Sequence, residues 1–262
     1  MRERRSVAEC LHDAFSLEGE VAVVTGGGTG IGFAVGKALT GLGARVAITG
    51  RTESVLREAT EKLGDRATYL VHDLRQEGTV PVLLEKLAAE VGPITILVNN
   101  AGVHLKKAAT DTSTEEFQSL LDTHVLGAFR FSSAVVPHMV KAGRGSIVFM
   151  SSMTALIGMP QVIAYSAAKS AYLGMMRTLA CELAPNAIRV NAIVPGWIDT
   201  PMLAKAIKND DERKRRILTR TPLGKFGRPE DIGWAVAFLS SPAAQFITGA
   251  VLPIDGGASV GF

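Results

Sequence analysis

An α/β domain built on a doubly wound parallel sheet is what this sequence predicts, and three observations predict it. Short runs that are apolar along their whole length alternate with segments of helical periodicity. Glycines cluster directly behind the first of those runs, at 26–32. The 262 residues, 47% of them hydrophobic, carry no low-complexity tract, short-period repeat or linker, so they suffice for one large core. Right-handed crossovers then place ligands at the carboxyl ends of the strands.

Residues 1–18 read as an N-terminal extension: charged, without strand alternation, with room for one short helix that Phe15 and Leu17 pin to the body. Residues 19–262 form the single domain. Strands are expected at 21–25, 45–49, 67–71, 94–98, 146–150, 187–194 and 250–254. Helices are expected at 33–42, 53–63, 79–91 and 114–141, through Tyr165 and Lys169, over 202–218, and from Pro229, a residue favoured in a first turn. Seven strands with helices between them give a seven-stranded sheet covered on both faces.

Charge excludes several partners. Against 28 basic and 25 acidic residues a net charge of +3 implies no nucleic acid, and the densest run, 208–216, mixes both signs as a solvated helix face does. Cys10 and Cys181 lie far apart with no metal-ligand spacing, so neither a disulfide nor a metal site is expected, and Cys181 reads as a small core residue. The basic start has no apolar run behind it and no stretch is long enough to cross a bilayer. The expectation is a soluble cytoplasmic protein.

The chemistry concentrates in 145–172. A strand ends at Ser151-Ser152, a Gly/Pro-punctuated loop follows, and a helix carries Tyr165 and Lys169 four residues apart, on one face. A phenol beside an ammonium, with a hydroxyl in reach, suits proton transfer. Strand alternation puts Ser151 and Ser152 on opposite faces, so only one of them partners the phenol.

The turn after the first strand reads Thr25-Gly26-Gly27-Gly28-Thr29-Gly30-Ile31-Gly32. It is TGxxxGxG rather than GxGxxG, and Gly36-Lys37-Ala38 is no Walker loop. Gly26 permits the tight turn, while Gly30 and Gly32 let backbone approach a pyrophosphate at a helix N-terminus. That predicts a dinucleotide site. The second strand ends at Gly50-Arg51 with no carboxylate at its tip, so a 2′-phosphate is favoured and NADP(H) over NAD(H). Glu53 reads as a first-turn helix acid instead. Asp73-Leu74 stands where an adenine amino group is accepted, and Asn99-Asn100-Ala101-Gly102 follows the fourth strand, the amides bridging strands and the small residues leaving room for a ribose.

With TGGGTGIG, NNAG, Ser152, Tyr165-Ser-Ala-Ala-Lys169 and Pro195-Gly196 in this order, the chain resembles the short-chain dehydrogenase/reductase family over roughly 17–262. The resemblance implies a Rossmann fold, homodimers or homotetramers, and interconversion of a secondary alcohol and a ketone with NAD(P). It implies Tyr165 as acid/base, Ser152 rather than Ser151 as the group positioning the substrate oxygen, and Lys169 holding the nicotinamide ribose while lowering the tyrosine pKa. It implies cofactor contacts from Gly26, Gly30, Ile31, Gly32, Arg51, Asp73, Leu74, Asn100, Ala101, Gly102, Tyr165 and Lys169, and from Pro195, Gly196, Ile198 and Thr200 at the carboxamide. It also implies a mobile lid over 202–218. One departure is plain: His124 stands where the family has an asparagine behind the lysine. It is a candidate for the proton relay that would add a group titrating near neutrality, or a space filler.

Substrate signals are fewer. Lys106 and Lys107, after Val103-His104-Leu105, resemble the basic pair of the gluconate 5-dehydrogenase and 2-deoxygluconate 3-dehydrogenase branch, and are candidates for a sugar-acid carboxylate or solvated loop charges. A 3-oxoacyl-carrier-protein reductase is the second enzyme reading, suited by apolar Met202, Leu203, Ile207, Ile217 and Leu218. A non-catalytic dinucleotide-sensing protein is the third, from another class.

Overall fold

The structure is a computed structural model that describes residues 6–208 and 210–261; residues 1–5 of the expected extension, Asn209 and Phe262 lie outside the described residues. In chain order the elements are α1 (Val7–Phe15), β1 (Val21–Thr25), α2 (Gly30–Gly41), β2 (Arg45–Gly50), α3 (Glu53–Leu63), β3 (Ala67–Val71), α4 (Val80–Val91), β4 (Ile96–Asn99), α5 (Thr114–Leu121) and α6 (Gly127–Ala142). There follow β5 (Gly145–Met150), α7 (Ile163–Leu183), β6 (Ile188–Pro195), α8 (Pro201–Ile207), α9 (Asp211–Arg220), α10 (Pro229–Ser240) and β7 (Val251–Ile254).

All seven strands join one parallel sheet in the order β3-β2-β1-β4-β5-β6-β7. The order reverses direction between β1 and β4, which opens a crevice at their carboxyl ends. Strand alternation divides the core in two. Val21 and Val23 of β1 face a cluster with Leu84, Phe131 and Met176, while Ala22 and Val24 face one with Leu39, Leu56 and Val236. Apolar side chains on both faces are why these strands lack alternation in sequence. Leu17 is fully buried, and Phe15 brings its ring within 6.4 Å of that of Phe238. The helix before them starts at a capping box of Ser6 and Glu9.

Four departures from the expected elements bear on the site. The helix expected from residue 33 begins at Gly30, because the turn's last glycines are already its first turn. The helix expected over 114–141 is interrupted by a π-turn, Asp122–Leu126, which adds one residue where His124 sits. The helical stretch 202–218 is two helices, since Thr200 caps α8 and Asp210, accepting from the amide of Arg213 at 2.9 Å, caps α9. Cys181 is exposed on the solvent side of α7 rather than in the core. Among the described residues no helix is long and apolar enough to cross a membrane.

Candidate active site

A cavity of about 670 Å³ lies along the carboxyl ends of the central strands, running from Arg51 and Asp73 past the glycine turn to Ser152, Tyr165 and Lys169. Most residues singled out in the sequence line it, including Gly26, Gly30, Ile31, Gly32, Leu74, Asn100, Ala101, Gly102, Pro195, Gly196, Ile198 and Thr200. Lys106 and Lys107 do not lie among the lining residues, whereas His104 and Arg213 do.

The glycine turn is shaped by close approach. Gly26 takes φ +66°, a left-handed conformation that a side chain rarely adopts, and a Cβ there would stand 2.8 Å from Cα of Ala101. A Cβ on Gly32 would meet the Gly26 carbonyl oxygen at 2.2 Å. Asn100 braces the turn: its amide nitrogen donates to the carbonyls of Thr25 and Gly26 at 2.9 and 3.1 Å. Thr29 makes no side-chain cap on α2, and space around Gly30 is bounded only by Thr200 and Pro201 at 3.5–4.0 Å. A helix N-terminus opening into a cavity without a side-chain cap fits the pyrophosphate of a dinucleotide.

At the far end Asp73 is clamped by Arg75, with N–O distances of 2.7–3.2 Å, and the Arg75 guanidinium beside it holds its carboxyl down at about 2. Arg51 lowers it further. Glu53 stays in the first turn of α3 and accepts from the Tyr69 hydroxyl at 3.1 Å. At the other end Thr200 donates to the Ile198 carbonyl at 3.3 Å, so two groups expected to meet a carboxamide are bonded to each other.

Around Tyr165 the serines separate as strand alternation predicts. Ser151 donates to the carbonyl of Lys169 at 2.8 Å, facing away from the phenol. Ser152 faces it: burial pushes the Tyr165 phenol up, and hydrogen bonding from Ser152 pulls it back. The Lys169 ammonium donates to the Met150 carbonyl at 2.7 Å and lies 5.6 Å from the Tyr165 ring centre. Burial drives Lys169 down to about 7.

His124 is buried, its ring edge-on to Tyr165 with centres 5.6 Å apart. Its Nε2 reaches both the amide and the carbonyl of Val103, at 3.1 and 2.8 Å, while Nδ1 has no hydrogen-bond partner among the described residues. A Cβ on Gly102 would stand 2.2 Å from the imidazole, so the NNAG glycine makes room for this ring. Of the two readings of His124, a titrating relay group and a space filler, the surroundings of the imidazole disfavour a charge near neutrality. Burial, reinforced by Lys169, pushes it down to about 3.

Tyr172 and His104, near the phenol, carried no assignment from sequence, and Arg213 was read within the solvated run 208–216. Tyr172 lies three residues beyond Lys169, on the same helix face, and its ring centre is 4.6 Å from the ammonium. That spacing was the available signal. The His104 ring centre stands 5.0 Å from that of Tyr165, and Arg213 reaches the cavity from α9. Lys107, by contrast, is paired with both oxygens of Glu116 at 2.9 and 3.0 Å. Among the described residues no group of metal-ligating side chains converges.

A family model described as enoyl-(acyl-carrier-protein) reductase matches residues 26–259. The chain belongs to the short-chain dehydrogenase/reductase family. Among this chain's relatives, 2-dehydro-3-deoxy-D-gluconate 5-dehydrogenase of Bacillus subtilis is 38% identical over 250 residues, 94% of this chain and 97% of that one. A 3-oxoacyl-(acyl-carrier-protein) reductase of Chlamydia muridarum is 38% identical over 245 residues, 92% and 98% of the two chains. In structure, a gluconate 5-dehydrogenase of Burkholderia cenocepacia in complex with NADP and tartrate superposes with a TM-score of 0.91 at 29% identity, covering 96% of this chain and 100% of that one. This short-chain dehydrogenase/reductase is therefore an oxidoreductase of a family that binds NAD(P).

Proposed function

We propose that this protein interconverts a secondary alcohol and a ketone on a small sugar acid, with Tyr165 as acid/base and NADP(H) preferred over NAD(H). The observation that carries the reading is the single cavity that joins the glycine turn and Arg51 to Ser152, Tyr165 and Lys169. A nicotinamide cofactor, when bound, supplies or accepts the hydride. Everything else falls to the backbone and side chains of the protein. Gly26, Gly30, Ile31 and Gly32 hold the pyrophosphate, Arg51 the 2′-phosphate, Asp73 and Leu74 the adenine, Asn100, Ala101 and Gly102 the ribose, and Pro195, Gly196, Ile198 and Thr200 the carboxamide.

In the reducing direction the Tyr165 phenol gives its proton to the substrate oxygen as negative charge develops there, and Ser152 donates a hydrogen bond to the same oxygen. In the oxidising direction the phenolate takes the proton back. An unperturbed tyrosine titrates near pH ~10, and burial alone would move it further from neutrality. Lys169, about one helical turn away, favours the phenolate when charged. His124 lies beside this pair as a neutral imidazole, the candidate continuation of the proton path. The proposed setting is the cytoplasm, as a homodimer or homotetramer without nucleic-acid or membrane partners. Retention of Tyr165 and Lys169 together favours turnover over a purely dinucleotide-sensing role.

Absorbance assays of NADP with gluconate, NADPH with 5-ketogluconate, and NADPH with acetoacetyl thioesters test the reading. Turnover of the sugar acids at the higher kcat/KM is expected. Preference for the thioesters would favour the carrier-protein reductase reading, for which the apolar Met202 and Leu203 lining the cavity speak. Cofactor binding with no turnover across a broad carbonyl panel would favour the sensing role.

A further inference from the structure

Lys169 is a buried ammonium with no carboxylate beside it. It donates to the Met150 carbonyl at 2.7 Å, and among the described residues no acidic side chain pairs with it. Asp73, the only carboxylate among the described residues that line the cavity, is clamped by Arg75 at the far end. The charge is held instead between two rings of its own helix. Tyr165 lies four residues before it and Tyr172 three after, with ring centres 5.6 and 4.6 Å from Nζ. The nearer ring belongs to the residue that proton transfer leaves unused.

Tyr172 is fixed from several directions. Its side chain is buried, its hydroxyl donates to the His124 carbonyl at 3.1 Å, and the ring of Phe149 on β5 stands 5.3 Å from its own, centre to centre. Burial and the neighbouring Tyr165 push its phenol up, so it neither gives nor takes a proton near neutrality. What remains is the ring face, whose negative quadrupole attracts a cation, most strongly where water is excluded.

We propose that Tyr172 is a positioning residue of the reaction: the face of its ring holds the Lys169 ammonium by a cation–π contact and keeps it charged beside Tyr165. This deepens the acid/base reading of Tyr165 and Lys169 and rests on it. Burial drives Lys169 down to about 7, so near neutrality a modest attraction decides how much of it is charged. Only the charged form favours the Tyr165 phenolate. The other titratable groups around the pair are His124 from the π-turn and His104 from the loop behind β4, the latter with Arg213 and Lys106 acting on it. Burial pushes both imidazoles down, so neither adds a positive charge at neutral pH. The Met150 carbonyl and the two rings are what oppose the cost of burying the ammonium, and Tyr172 is the nearer ring.

The test varies the ring and keeps its shape. Tyr172→Phe retains the face and loses only the hydroxyl, whereas trifluorophenylalanine incorporated at 172 has nearly the same outline with electron density withdrawn from the face. Lysines of the full-length protein carry an isotopic label at Cε, and the Lys169 signal, the one absent from Lys169→Met, is titrated by NMR. Between Tyr172→Phe and the fluorinated ring the Lys169 midpoint should fall by about one pH unit, as expected for losing a desolvated cation–π contact. Tyr172→Leu should lower it as far, and Tyr172→Phe should differ from the unmodified protein by less than about a third of that. With less ammonium the Tyr165 phenolate is less favoured, so the rising limb of NADP-dependent gluconate oxidation should move to higher pH with the fluorinated ring and remain in place in Tyr172→Phe. A Lys169 midpoint that the fluorinated ring leaves unchanged overturns the contact. A midpoint that falls while the rate profile does not move overturns the positioning role. If gluconate is not oxidised at all, the sugar-acid reading fails, and the profile is read on acetoacetyl thioester reduction, whose falling limb should move to higher pH by the same amount. Turnover that survives Tyr165→Phe sinks the acid/base reading, while the Lys169 midpoint still judges the contact.

Discussion

The Tyr172 hydroxyl donates to the main-chain carbonyl of His124 across 3.1 Å, tying the π-turn Asp122–Leu126 to the helix that carries Tyr165 and Lys169. Both groups are buried, so neither can exchange this bond for water. Tyr172→Phe leaves a buried carbonyl oxygen short of a donor and should cost about 1–2 kcal/mol of stability. Urea denaturation measures it. A variant as stable as the parent would mean that the π-turn is held by its own packing alone.

Tyr165→Phe removes the proton and keeps the ring. Turnover should fall by about 10³ or more, within the range for losing a general acid/base, while the dissociation constant for NADPH changes less than about twofold by fluorescence titration. The direction of pH dependence follows from the same group. Oxidation needs the phenolate and speeds up as pH rises through its pKa, whereas reduction needs the phenol and slows.

Lys169 is buried at a cost that depends on pH. Its folded pKa of about 7 lies below the ordinary value of 10.5, so between those limits the unfolded chain binds more protons and stability rises with pH. Below pH 7 the full penalty applies, on the order of 5 kcal/mol at 1.36 kcal/mol per unit. Lys169→Met should therefore raise the melting temperature at pH 7 and lose most of that advantage near pH 10.5, where the folded lysine is neutral and the unfolded one only half charged. Differential scanning calorimetry at the two pH values reads the difference.

His124 makes the opposite end of the pH scale costly. With a folded pKa of about 3 against 6.5, it withdraws stability as pH falls from 6.5 towards 3. His124→Asn should abolish that slope, sparing about 3 kcal/mol of the loss between pH 6.5 and 4. Acid denaturation curves of the two proteins decide the matter.

Arg51 has a single assignment, the 2′-phosphate. Arg51→Ala should weaken NADPH binding about 10- to 100-fold, the range for a lost charge-assisted pair, and leave NADH within about twofold. Equal losses for both cofactors would remove the basis for preferring NADP(H).

What could be read from the chain and what could not divide along physical lines. The five inner strands were legible because they are buried on both faces and so continuously apolar, the half-buried edge strands β3 and β7 by their short apolar runs alone, and Tyr165 and Lys169 because four residues on a helix make one face. The separation of Ser151 from Ser152 followed from strand alternation. The π-turn was illegible, since it depends on contacts of His124 with Val103, Gly102 and Tyr172, which are 21 to 48 residues away or set by backbone approach. Lys107 looked available because its partner, Glu116, is recruited by the Ser113 capping box of α5. Arg213 and His104 are over a hundred residues apart, and only the fold brings them to one cavity.

The two walls of that cavity are built differently. Lys107 anchors the His104 loop twice, through its ammonium to Glu116 and through its amide to the Gln161 carbonyl at 2.8 Å, so this wall moves only with the helices behind it. The wall formed by α8 and α9 is attached at Thr200 and Thr221 and seated by Leu203 and Ile217. On the proposed function, proton chemistry belongs to the sheet and α7, and recognition to one short segment, 201–220, tied to the body at its two ends. Exchanging that segment between relatives should then alter which molecule is accepted and leave the machinery that moves the proton as it was.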